Sequence, residues 1–307
     1  MSVVNIPEHV IPYNKDNIAF SLDAHKKPLL IVQPGHHVVV ETMNAFSQET
    51  ATEEELNNTI NQGYHHPFTG PIFIEGAEQG MTIGVHIEQI ELAPYAYTCI
   101  SRSSGVLKGI FHDRNYKRIA VETDRFDCMG ISFQTVPSVG GIGLADPNGT
   151  RNGATCDHGG NLDFKQMVPG STVYLPTAFS GGLLYIGDLH ARQGDGELSG
   201  IALESSGSVH LSVQLWADCI PCPIIDHPEG MMVVGYGETF DEAIRQAVRH
   251  AVGMIATHRQ ISESDAYILL GFAANLVVGH LTGRIKSVAV QLSHELLAIS
   301  DILSHPL

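Results

Sequence analysis

The chain has 307 residues, 43% hydrophobic and 16% charged, enough to bury a large core and well inside the globular range. Its 33 acidic against 17 basic residues give a net charge of -16, and no run of Lys and Arg is long enough to neutralise consecutive phosphates, which excludes a nucleic-acid partner. Met1–Pro7 has neither a basic segment nor a continuous apolar one, and the longest apolar stretch, Tyr267 to Leu281, is interrupted by Gly271, Asn275 and His280. Neither a signal peptide nor a membrane span is expected. Five cysteines, Cys99, Cys128, Cys156, Cys219 and Cys222, are an odd number without framework spacing, which points to a reducing, cytoplasmic setting.

From about Leu29 to Leu215 the chain reads as short β-rich runs punctuated by Gly, Pro and Asn-Gly: Leu29–Val32, Val38–Glu41, Pro71–Ile74 and Thr82–Ile87. Many short strands with turn signals predict a β-sandwich or barrel. Polar connections are expected at Asn57–Gly63, leading to His65-His66, and at Asp146–Gly153. Of each adjacent pair, His36-His37 and His65-His66, at most one imidazole can enter a given site, because neighbours in a strand face opposite ways. Ser205-Ser206-Gly207 reads as a hairpin turn. Val209 to Leu215 alternates throughout and predicts a half-buried strand with Val209, Leu211, Val213 and Leu215 inward.

The texture changes after Pro221 and Pro223. Met231–Gly237 predicts a strand, Thr239 with Glu242 a capped helix start, and Ser262 with Asp265 a second one. On this second helix Ile268, Leu269, Phe272, Ala273 and Leu276 predict one broad apolar face. The division expected is a β-rich catalytic domain over 1–223 and an α+β module over 224–307 packed on it.

Candidate chemistry concentrates between two strand-like runs, in Gly187-Asp188-Leu189-His190-Ala191-Arg192-Gln193-Gly194-Asp195-Gly196-Glu197. Asp188 and His190 are two apart, as are Asp195 and Glu197, and in extended backbone such pairs share a face. Three carboxylates and an imidazole converging on one pocket would make a mixed N/O ligand set suited to zinc or another divalent ion. The alternative is that Asp195-Gly196 is a tight turn with solvated charges. A second concentration is Cys156-Asp157-His158-Gly159-Gly160-Asn161-Leu162-Asp163, which offers ligands, oxyanion donors or simply a turn. Cys156 as a nucleophile is a further reading, against that of a small buried hydrophobe. Glu75, between an apolar strand and Gly76, sits where a carboxylate can enter a pocket at a strand end. Serine-elbow, P-loop and His-Glu-x-x-His motifs are absent.

Taken together, Gly187–Glu197, His158–Asp163, Pro169–Pro176, Thr69–Glu78, Gly140–Gly143 and Ser264–Leu270 resemble the acetamidase/formamidase family along nearly the whole chain. Departures occur at His36 and Asn44 and at Gln79-Gly80-Met81. The resemblance implies a jelly-roll-like β fold with an α+β part, hydrolysis of short amides to carboxylate and ammonia, a bound divalent metal and a homo-oligomer. Zinc is the expected ion, with calcium at a second site. On this reading His158, Asp188, His190 and Asp195 hold the metal, Glu197 or Glu75 moves protons and Asn161 positions the substrate. Two other readings are a Cys156-dependent amidase and a non-catalytic protein of the same fold that binds a small metabolite.

Overall fold

A computed structural model describes residues 9–46, 54, 66–100, 105–112 and 115–307; His65 and the Asn57–Gly63 connection lie outside them. Strands make up 43% of the chain and helices 13%, so the architecture is mainly β, a curled sheet with a C-terminal helical module. Among the described residues, no helix is long and apolar enough to cross a membrane.

The alternating segment around Val209 becomes the spine of the sheet. It lies in the long strand Leu203–Trp216, which pairs antiparallel with Thr82–Thr98 along one edge and with His37–Thr42 along the other. Val209, Leu211, Val213 and Leu215 are buried in the main core, as alternation requires. Ser205-Ser206-Gly207 is not a hairpin but part of this continuous strand. The reason is close packing: a Cβ on Gly207 would stand 2.1 Å from the Glu91 carbonyl oxygen, so glycine here serves an approach between strands rather than a turn.

From Thr82–Thr98 the sheet continues through Thr172–Pro176, Ile224–His227, Gly230–Gly237 and Lys286–Leu292 to Ala274–Val278. The β region and the C-terminal module therefore share one hydrogen-bonded surface. Gly230–Gly237 reads as an unbroken apolar run because both its faces are covered: Met232 and Val234 join the main core, whereas Met231 and Val233 pack under the helices.

Helix α1 (Phe240–Arg259) begins at Thr239, whose side chain accepts from the Glu242 N–H while the Glu242 carboxylate accepts from the Thr239 N–H. Helix α2 (Glu263–Ala273) is capped by Ser262, which accepts from the Asp265 N–H. The broad apolar face predicted for α2 divides differently. Ala266 and Leu270 are the buried residues, Ile268 and Phe272 point outward, and Leu276 belongs to the strand that follows at Ala274. Periodicity identifies an apolar helix; the packing of α1 decides which side is covered.

Candidate active site

Three strands carry the site. Leu184–Arg192 lies between Ser138–Leu144 and the start of Leu203–Trp216, and their registers place Ser138 and Glu204 on either side of His190. Asp188 adopts a left-handed conformation, φ 60°, within its strand, and both it and His190 are buried. The opposing residue is Gly140. A Cβ there would stand 2.6 Å from His190 Cε1 and 2.8 Å from both Asp163 Oδ1 and Asp188 Oδ2, so glycine leaves the floor of the cluster open.

His190 Nε2 faces three carboxylates, with Asp188 Oδ1 at 3.7 Å, Glu197 Oε1 at 3.7 Å and Glu204 Oε2 at 3.6 Å. The Gln193 amide donates to the Asp163 carbonyl at 2.9 Å and to Glu197 Oε1 at 3.2 Å. Both its N–H groups are thereby used, which orients its oxygen toward His190 Nδ1 at 3.3 Å. That oxygen can only accept, so Nδ1 carries the proton and Nε2 is the nitrogen directed at the carboxylates. Asn161 Nδ2 donates to Asp163 Oδ2, His280 Nδ1 lies 2.7 Å from the same oxygen, and His66 Nδ1 lies 3.2 Å from Asp188 Oδ2. His280 is held in turn by Ser287, whose hydroxyl accepts the His280 N–H and donates to the Leu162 carbonyl.

The electrostatics of this group follow from burial. Desolvation opposes charge on His66, yet Asp188, with Glu204 and Asp163, outweighs it and raises the imidazole to about 9. His190 is likewise raised well above its ordinary value, Glu204, Asp188 and Glu197 overcoming the cost of burial. Asp188 resists its own desolvation because His66 and His190 hold it well below the usual carboxylate range. Burial pushes Glu197 up to about 7, reinforced by Asp163, and burial likewise raises Glu204. Carboxylates and imidazoles that cannot reach water thus set one another's charge.

The donor set fits a divalent metal. Three overlapping triads, Asp163/Asp188/His190, His190/Glu197/Glu204 and Asp163/Glu197/His280, each bring their ligand atoms within 4.8 Å of one another. Asp163 Oδ1, Asp188 Oδ1 and Glu204 Oε2 are buried without a hydrogen-bond partner, an arrangement that costs about 1–3 kcal/mol per atom unless something else satisfies it. Ligands about 2.1 Å from a tetrahedral zinc lie roughly 3.4 Å apart, close to the spacing around His190 Nε2. Ligands of this kind, nitrogen and carboxylate oxygen without thiolate, suit zinc and harder divalent ions.

Of the residues singled out by sequence, the structure brings Asp188, His190, Glu197 and Asn161 together. Asp195 and Glu197 do not share a face, because Gly196 and Glu197 are both left-handed, φ 74° and 43°. Asp195 turns outward to Lys165 at 2.8 Å. His158 Nδ1 lies 2.6 Å from the Pro176 carbonyl, and Glu75 is exposed, accepting from Gln33 Nε2 at 3.2 Å. Glu204 and His280 are the members that motif spacing does not select; Asp163 comes from the Cys156–Asp163 concentration and His66 from one of the adjacent histidine pairs, and spacing assigns neither of them a role. A left-handed non-glycine backbone is common to Asp163, Asp188, Glu197 and His66, a concentration of unfavourable conformations of the kind found where function holds them.

Cys156 is buried, and burial first, then Asp146, pushes its thiol up to about 12. A thiol in that state is not a nucleophile near neutrality. Iodoacetamide at pH 8 is therefore expected to modify the exposed Cys219 in the native protein and to leave Cys156 unlabelled, read by peptide mass spectrometry. Native-state labelling of Cys156 would restore the thiol reading.

Comparison with known proteins extends the same pattern. Residues 144–293 match the model of the Acetamidase/Formamidase family, a span that contains most of the cluster. A formamidase of Methylophilus methylotrophus is 32% identical over 164 residues, covering 45% of this chain and 39% of its own. The matches to curated relatives span 28% to 52% of those proteins' lengths. Solved structures correspond over far more. An acetamidase from Bacillus halodurans superposes with a TM-score of 0.88 at 31% identity, over 92% of this chain and 98% of that one. A predicted acetamidase/formamidase from Thermoanaerobacter tengcongensis does so with a TM-score of 0.89 at 27% identity, over 94% and 96%. With fold and sequence in agreement over 98% of a solved acetamidase at 31% identity, the chain belongs to the acetamidase/formamidase family.

Proposed function

We propose that this protein hydrolyses short linear amides, formamide and acetamide among them, to carboxylate and ammonia in the cytoplasm, as a homo-oligomer that requires a divalent metal. The observation that carries this reading is the cluster around His190 Nε2, where buried carboxylate oxygens lack partners and converge on one point. Zinc is the ion we assign, held by His190 with Asp163, Asp188 and Glu204, and calcium the one for a second site. When bound, such an ion lowers the pKa of a coordinated water to about 7 and polarises a carbonyl.

The chain's own groups account for the remaining requirements. Adding water to the amide carbon releases one proton, and the departing nitrogen must gain one, so a carboxylate that accepts and then returns a proton balances the reaction. Glu197 is placed for that work, buried beside His190 and oriented by the Gln193 amide. Asn161, with its Oδ1 buried and without a partner, offers an acceptor for the amide N–H of a substrate. Gln193 fixes the His190 tautomer, and the surrounding strands exclude bulk water.

The experiment is an ammonia-release assay on purified protein with formamide, acetamide, propionamide and urea, before and after exhaustive chelation. Release from one or more of the linear amides is expected, with loss on chelation and recovery on adding zinc. Activity that survives removal of all metal would overturn metal dependence, and no release from any substrate by metal-replete protein would favour a non-catalytic binding role.

A further inference from the structure

We propose that the face made by helix Glu263–Ala273 and the edge strand Ala274–Val278 docks a second copy of this chain, strand against strand. Residues Ala266–Gly279 contain no Asp, Glu, Lys or Arg in a chain of net charge -16, yet much of the segment lies on the surface. The helix buries Ala266 and Leu270 and turns Tyr267, Ile268 and Phe272 outward at 64%, 65% and 75% exposure, and the strand adds Leu276 at 50%. These side chains together expose on the order of 400 Å² of largely apolar surface, at the upper end for a soluble monomer. One partner of a stable interface contributes about 800 Å².

The backbone supplies a second observation. Ala274–Val278 pairs with Lys286–Leu292 on one side, and among the described strands no other pairs with it; just past its end an isolated bridge joins His280 to Gly196. Exposed edges are ordinarily protected by a charge, a proline or a bulge. Ala274-Asn275-Leu276-Val277-Val278 has neither charge nor proline, and its register with the neighbouring strand is unbroken. An occupant must present a free strand edge and an uncharged apolar flank. A second copy of the same face presents both, related by a two-fold axis near Leu276, with each Phe272 packing beside the other chain's strand. Elsewhere the excess of acidic residues opposes approach of two copies; this segment carries none to oppose it. The inference rests on the homo-oligomeric part of the functional reading and is independent of the amide chemistry.

Light scattering on the full chain at micromolar concentration tests it. The wild type is expected as a dimer or larger, and the double variant Ile268→Asp/Phe272→Asp at half that mass, with unchanged circular dichroism and unchanged ammonia release per chain. Leu276→Cys is expected to give a dimer with a short bismaleimide that the wild type, with its own Cys219, does not give. A wild-type monomer would overturn both the oligomer and this surface. An oligomer whose mass ignores the double variant would overturn the surface alone, and failure of Leu276→Cys to cross-link would overturn the strand pairing.

Discussion

Glu197→Gln is expected to lower kcat for amide hydrolysis by about 10²–10⁴-fold, the range associated with loss of one general acid or base, while leaving metal content intact. The substitution keeps size and shape, so the Gln193 contact and the turn at Gly196 persist and only proton transfer is removed. Burial, with Asp163 behind it, lifts the Glu197 carboxyl to about 7. A cation held beside Glu197 favours its ionised form, so apparent metal affinity should tighten as pH rises through 7 in the wild type and less so in the variant. Turnover with each amide, metal analysis and a pH series of metal titrations are the measurements. A variant that retains wild-type kcat with metal bound would remove Glu197 from proton transfer and leave Glu204, also buried beside His190, as the carboxylate to test.

Gly140→Ala is expected to abolish metal retention and activity together. The added methyl would lie within 2.8 Å of His190 Cε1, Asp163 Oδ1 and Asp188 Oδ2, and none of these groups has solvent to retreat into. Overpacking of this kind costs about 1–3 kcal/mol of stability, so the protein should still fold while the cluster is forced apart. A fall in bound metal to below about a tenth and in kcat/KM of about 10²-fold or more is the predicted result, of the order that an ångström of misplacement produces. Gly253→Ala is the control, because a methyl there meets nothing within 4 Å. Full metal occupancy and a wild-type rate in Gly140→Ala would show that the floor of the cluster is not where the ion sits.

These two residues illustrate what the sequence discloses. Alternation from Val209 to Leu215 and the Thr239–Glu242 capping box are local patterns with local causes, and both appear as expected. Asp188 and His190 come together because they occupy one strand. The same rule applied to Asp195 and Glu197 does not hold, since Gly196 and Glu197 turn the chain through left-handed backbone and send one carboxylate to Lys165 and the other inward. Glu204 faces His190 through cross-strand register, and His280 reaches Asp163 from beyond the α helices. Register between distant strands leaves no periodic trace, so neither contact could be read from spacing. For Ile268 and Phe272 the pattern fixed the helix but not its outward direction, which α1 decides by covering Ala266 and Leu270.

The carboxylates and imidazoles of the cluster come from positions as far apart as His66 and His280. A chain emerging from the ribosome N-terminal end first would hold Asp163, Asp188, Glu197 and Glu204 well before His280 and the strand Lys286–Leu292 exist to complete their surroundings. Like charges then have no imidazole from the C-terminal module to offset them, and the cup cannot close. The proposed ion would accordingly load onto the finished chain, and its supply after synthesis, rather than during it, would set how much of the protein becomes active.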